Sequence, residues 1–93
     1  EHVLKQAESY RNRRHKLAPV LTAIGFQIAH SEAGLYIWCT RNERDWDSVA
    51  WFAERGILVT PGSFYGSDGA NFIRIALTAT DAQIEEVARR INQ

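Results

Sequence analysis

The sequence predicts an α+β fold: a two-layer sandwich of a mostly antiparallel sheet with helices on one face. Three observations predict it. Helix-like and strand-like segments follow the order helix, strand, strand, helix, strand, strand, helix. The joins between strand-like runs are short and hairpin-like, which favours antiparallel pairing and segregated helices. The 93 residues, 45% hydrophobic and 24% charged, suffice for one domain with one modest core.

Residues 3–24 form the first predicted helix. Val3, Ala7, Tyr10, Leu17, Leu21 and Ile24 recur on steps of three and four, with Arg14 interrupting the stripe. Gln6, Arg11, Asn12, Arg13 and Lys16 take the opposite face. Pro19 predicts a kink or an early end, and Gly25 a left-handed C-terminal cap. Residues 26–29 and 35–40 are strand-like, the second run rich in aromatic and β-branched side chains. Ser31, Glu32, Ala33 and Gly34 make the turn between them.

After a polar break, a helix begins near Asp45 or Asp47, either of which can cap it through a side-chain oxygen. Val49, Phe52 and Ala53 are its apolar side and Gly56 its end. Residues 57–60 predict a buried strand stopped by Pro61 and Gly62. A glycine-rich loop occupies 63–69, and 72–77 is the last strand. Thr80 and Gln83 then make a capping box, with Ile84, Val87, Ala88 and Ile91 on the core face of the final helix. No repeat, low-complexity stretch or linker divides the chain, so residues 1–93 form one predicted domain.

Charge and composition exclude several classes. Eleven basic residues balance eleven acidic ones, which argues against a general nucleic-acid or anionic-membrane binder. Cys39 is the single cysteine, so no internal disulfide is possible and a reducing, cytoplasmic setting is expected. No apolar run is long enough to span a membrane and no signal peptide opens the chain. A start at Glu1 and the lack of any Met suggest a processed product or a fragment.

His2, His15, His30 and Cys39 lack metal-ligand spacing, and there is no G-x-S-x-G elbow. Gly62, Gly66 and Gly69 fit no dinucleotide or phosphate-loop pattern; they serve either turn chemistry or close approach of backbone to a ligand. Asp45 and Asp47 suit capping better than catalysis. Arg11, Arg13, Arg14, His15 and Lys16 are either a solvated helix face or a minor phosphate or nucleic-acid contact. Cys39 alternates onto the buried face and behaves as a small hydrophobe.

Alternation in the strands separates two faces. Ile73, Ile75 and Leu77, with Leu35, Ile37 and Cys39, point to the helices. Tyr36, Trp38, Phe72 and Arg74 share the other face. An apolar patch around one cation marks a contact surface. Alternatively, Arg74 snorkels to solvent at a sheet edge.

Three segments, in order, carry a resemblance. They are EAGLYIW within 32–38, GILVTPGSFYG at 56–66, with Glu54 and Arg55 before it, and RIALTATD at 74–81, with Phe72 and Ile73 before it. Together they resemble the C-terminal part of class I/II, fold-type-I pyridoxal-phosphate aminotransferases, most of all the actinobacterial N-succinyldiaminopimelate aminotransferases. The resemblance covers nearly the whole chain, including the Arg13–Arg14 pair.

It implies a homodimeric, two-domain parent with the cofactor at the domain interface. This chain would be its small domain, with residues 1–25 as the bridging helix and the large domain as partner. The family's carboxylate-binding arginine falls on Arg74, where a planar guanidinium can hold an amino-acid or keto-acid carboxylate through two parallel bonds. Gly34 matches a glycine near that carboxylate, and Phe64, Tyr65 and Gly66 match a turn near the site mouth.

The family's cofactor-bearing lysine, its aspartate beneath the pyridine nitrogen and its phosphate-binding residues lie upstream. Lys5 and Lys16, the only lysines, match no such motif. The resemblance thus implies no catalytic, cofactor-binding or metal-binding residue here, and no activity or bound cofactor for the chain alone. The implied parent activity is amino transfer between glutamate and N-succinyl-2-amino-6-oxopimelate, in diaminopimelate and lysine biosynthesis. The alternative from the element order is a free-standing ferredoxin-like ligand-binding or regulatory module.

Overall fold

The structure, a computed structural model, describes residues 2–29 and 34–92, with side chains from Lys5 onward. The side chain of Val3, and His30, Ser31, Glu32 and Ala33 with their expected turn, lie outside the described residues. The elements are α1 (His2–Ala23), β1 (Gln27–Ile28), β2 (Tyr36–Thr40), α2 (Asp45–Ala53), β3 (Thr60–Pro61), β4 (Phe72–Ala76) and α3 (Asp81–Ile91). Two 3-10 turns, Gly62–Tyr65 and Ser67–Gly69, join β3 to β4. The sheet order is β1-β2-β4-β3, antiparallel throughout. One core lies between the sheet and the helices: Leu17, Leu21, Phe52, Ile84, Ala88 and Ile91 pack with Ile37, Cys39, Ile73 and Ile75. The predicted α+β sandwich is the observed fold.

α1 does not end at Pro19 but runs through it. An interior proline costs about 3 kcal/mol. Leu17 and Leu21, each fully buried on either side of it, contribute about 1.5–3 kcal/mol apiece and hold the helix together. Its stop is at Gly25, φ +98°, where the amides of Gly25 and Phe26 bond to the carbonyls of Thr22 and Leu21, a Schellman closure. Ala7, expected in the apolar stripe, is exposed; packing begins at the half-buried Tyr10.

The basic cluster of α1 divides: Arg11 and His15 are exposed, as a solvated face would be, whereas Arg13, Arg14 and Lys16 are engaged by the rest of the fold. Arg13 donates to the Leu77 carbonyl (2.8 Å) and to Asp81 (2.7 Å). Arg14 donates to the Tyr36 carbonyl at 3.2 Å, and Lys16 pairs with Glu85 at 2.7 Å. These bonds staple α1 to the sheet and to α3, whose N-terminus carries the expected Thr80–Gln83 capping box.

Other expectations shift by short distances. The strand forecast for 57–60 pairs only at Thr60–Pro61, so Pro61 sits in the ladder instead of stopping it. That is permissible on an edge strand, where a proline deprives no second neighbour of a bond. Ile57 and Val59 still alternate inward while Leu58 is 94% exposed. Leu35 precedes β2 and is only half-buried, outside the core where alternation put it. In α2 the inward face uses Ser48 and Phe52, whereas Ala53 is exposed. Gly56, φ +74°, closes α2 as expected.

Candidate functional site

β4 lies between β2 and β3, so Arg74 sits opposite Trp38 on one side and Thr60 on the other. Arg74 is therefore central in the sheet, and the edge-snorkelling alternative fails. Its side chain leaves the helix-free face together with Tyr36, Trp38 and Phe72, all half-buried. The turn at Gly62–Tyr65 folds back over this face. The guanidinium carbon lies 3.9 Å from the centre of the Tyr36 ring and 4.6 Å from that of Tyr65. Tyr65 in turn meets Trp38 edge-on at 5.4 Å.

Around Arg74 is an open concavity of about 690 Å³, lined among others by Leu35, Tyr36, Trp38, Tyr65, Phe72 and Arg74. Among the described residues, Asp68 is its one acidic lining residue. Among the described residues no carboxylate pairs with Arg74. Two tyrosine rings lie within cation–π distance of the guanidinium, whose N–H groups lie in its own plane. Such a group accepts a planar anion edge-on, and partial burial strengthens the bond.

The turns that complete this wall are held by backbone contact. A Cβ on Gly62 would strike the Gly69 carbonyl oxygen and lie 2.8 Å from that of Phe72; one on Gly69 would strike the Gly62 carbonyl. Turn closure, not ligand approach, demands these two glycines. Gly66, φ +132°, separates the turns.

Asp45 is the one buried carboxylate among the described residues. It does not cap α2; Arg44 holds that position without a side-chain bond. Asp45 accepts instead from the amides of Ser63 (3.0 Å) and Trp46 (2.9 Å). Hydrogen bonding from the Ser63 hydroxyl, then from the two amides, holds its carboxyl below the usual range despite the opposing effect of burial. Asp47 is exposed.

Gly34, φ +70°, lines a separate shallow concavity with Tyr10, Arg11 and Arg14. No atom of the described chain lies within 4 Å of where its Cβ would be, so positive φ is what this position itself requires. Phe64 meets Trp46 edge-on at 5.8 Å and is not among the residues lining the Arg74 concavity. Periodicity could not single out Tyr65 or Asp45, since a loop and a helix start carry no period-2 signal.

Pyridoxal phosphate requires a lysine, and none lines the concavity. Lys16 is engaged by Glu85, and Lys5 is exposed on α1. These residues do not by themselves form a site for that cofactor. No metal-holding group of His, Cys, Asp and Glu occurs among the described residues. Nor is any described helix long and apolar enough to cross a membrane. Burial pushes the Cys39 thiol up to about 12, which suits its expected role as a hydrophobe.

Comparisons with known proteins bear on the family and the fold. A probable aminotransferase of Mycobacterium tuberculosis is 50% identical over 90 residues, which are 97% of this chain and 22% of that protein. The 4-dedimethylamino-4-oxo-anhydrotetracycline transaminase of Streptomyces rimosus is 47% identical, over 97% of this chain and 25% of its own length. Among solved structures, L,L-diaminopimelate aminotransferase from Chlamydomonas reinhardtii superposes with a TM-score of 0.79 at 32% identity, covering 91% of this chain and 21% of that one. A probable N-succinyldiaminopimelate aminotransferase from Thermus thermophilus gives 0.73 at 30%, covering 88% and 23%. The chain thus spans about a fifth to a quarter of the length of these relatives. The sequence profile of the family "Aminotransferase class I and II" matches residues 1–91, and the chain belongs to that family.

Proposed function

We propose that this chain is the small, C-terminal domain of a pyridoxal-phosphate-dependent aminotransferase, and that Arg74 grips the α-carboxylate shared by amino donor and keto-acid acceptor. The observation that carries the reading is Arg74 itself: a half-buried guanidinium between two tyrosine rings, without a carboxylate partner in the described chain, facing an open concavity. Family membership favours this over a free-standing ferredoxin-like module. The cofactor lysine belongs to the large domain, which closes the concavity from the other side in a homodimeric, cytoplasmic parent. Pyridoxal phosphate supplies the electron sink when bound there. The chain's own contribution is orientation, fixing the carboxylate so that the reacting carbon is held in place. Gly34 lines a separate concavity, and its part is the positive-φ turn that leads into Leu35, which does line the Arg74 concavity.

For substrates we propose glutamate as donor and N-succinyl-2-amino-6-oxopimelate as acceptor. Motif resemblance supports it, as does the Thermus thermophilus neighbour named a probable N-succinyldiaminopimelate aminotransferase; relatives named for LL-diaminopimelate support the diaminopimelate setting alone. The test uses the full-length, cofactor-loaded protein. It compares glutamate with isoglutamine, whose α-carboxylate is a neutral amide, and the proposed acceptor with other keto acids. One charge-assisted bond contributes about 1.5–3 kcal/mol, so isoglutamine should be roughly ten- to a hundredfold poorer in kcat/KM. Equal rates for the two donors would overturn the carboxylate clamp. Turnover of other keto acids but not the proposed one would overturn the substrate assignment.

A further inference from the structure

A buried carboxylate without a cation bonded to it is costly, and the structure has one. Asp45 is 3% exposed and belongs to none of the ion pairs among the described residues. One carboxylate oxygen accepts from the Trp46 amide; the other oxygen and the Asp45 amide are spent on the loop that walls the Arg74 concavity. The carboxylate accepts from the Ser63 amide at 3.0 Å, and the Asp45 amide donates to the Ala70 carbonyl at 2.8 Å. One residue therefore ties down both turns, Gly62–Tyr65 and Ser67–Gly69. Two residues after Ser63 comes Tyr65, whose ring lies over the Arg74 guanidinium and against Trp38.

Resting on the carboxylate-clamp reading of Arg74, we propose that Asp45 is a positioning residue for substrate binding: it anchors the Ser63 turn so that Tyr65 holds the guanidinium aimed into the concavity. Asp45 itself lines no part of that concavity. Tyr65 is 53% exposed and has little core packing to hold it. Its place depends on the turn that carries it, and that turn depends on Asp45. Gly62 and Gly69 let the two turns touch, but a backbone contact between glycines resists compression only. The hydrogen bonds to Asp45 resist separation.

The test is a double-mutant cycle in the full-length, cofactor-loaded protein. The readout is inhibition by glutarate, a dicarboxylate with no amino group to transfer, alongside KM and kcat for glutamate. Asp45→Asn should weaken glutarate binding about fivefold or more and raise KM similarly, with kcat changed less than about twofold. Tyr65→Ala should do the same. In the Tyr65→Ala background, Asp45→Asn should add nothing, because the group it acts through is gone. An additive effect, or no effect of Asp45→Asn on glutarate, overturns the positioning role. Should Asp45→Asn fail to fold, Ser63→Ala at an exposed position replaces it. That variant should weaken glutarate about twofold, again only when Tyr65 is present, and full additivity there overturns the proposal. If Arg74→Lys leaves glutarate binding unchanged, the clamp reading fails first. If Arg74→Lys weakens it and Asp45→Asn does not, only the present inference fails.

Discussion

Arg74→Lys in the full-length enzyme separates charge from shape. The tyrosine ring centres lie 3.9 and 4.6 Å from the guanidinium carbon, and the donors of this planar group all lie in its plane. Arginine presents two parallel N–H groups there; lysine presents a point charge that keeps the attraction to the rings but not the fork. Loss of one charge-assisted bond of about 1.5–3 kcal/mol lowers kcat/KM by roughly ten- to a hundredfold, at about 1.4 kcal/mol per factor of ten. If Arg74 is the proposed clamp, both substrates must suffer, because it would serve both half-reactions. On the proposed clamp, the visible absorbance of the bound cofactor should be unchanged. Steady-state kinetics with donor and acceptor varied in turn decide it. Near-wild-type constants for both would refute the reasoning and remove Arg74 from the site.

Gly62→Ala drives a Cβ into the Gly69 carbonyl and should destabilise by about 1–3 kcal/mol, whereas exposed Ser67→Ala stays within about 0.5; equal denaturation midpoints would contradict the close approach. Iodoacetamide at pH 8 should leave Cys39 unmodified in the native protein, because burial pushes its thiol up to about 12, and peptide mass spectrometry should find it alkylated only after unfolding. Asp45 is held below its ordinary 3.8, so the stability it contributes is complete above that pH and drains away as pH falls through the lowered value. Asp45→Asn should flatten this acid limb, and an unchanged limb in acid titrations would exclude Asp45 as its source. The isolated 93-residue chain, with no lysine in the concavity, should transfer no amino group from glutamate and give no reducible lysine adduct with pyridoxal phosphate; a borohydride-trapped adduct with turnover would refute this.

Local chemistry in the sequence was enough for much of the fold. The capping box at Thr80 and Gln83, the left-handed glycines 25 and 56, and the alternation of Ile73 and Ile75 with Phe72 and Arg74 involve neighbours within a few positions. Propensity and periodicity act at that range. The motifs that resembled an aminotransferase are likewise local strings, and the family match bears them out.

Tertiary contact decided the rest. Whether Pro19 breaks α1 depended on Leu17 and Leu21 finding a core. Whether Arg74 sits at an edge or the centre depended on strand order, which the pattern of one strand cannot encode. Arg13 looked solvated on a helical wheel, but its partners Leu77 and Asp81 lie 64 and 68 residues away. Asp45 and Asp47 were alike as caps in sequence; only the packed turn at Ser63 gave one of them a buried carboxylate's work. Tyr65 joined Arg74 for the same reason. A loop residue's position is set by what the loop folds against, and hydrogen bonds across the fold leave no period in the sequence.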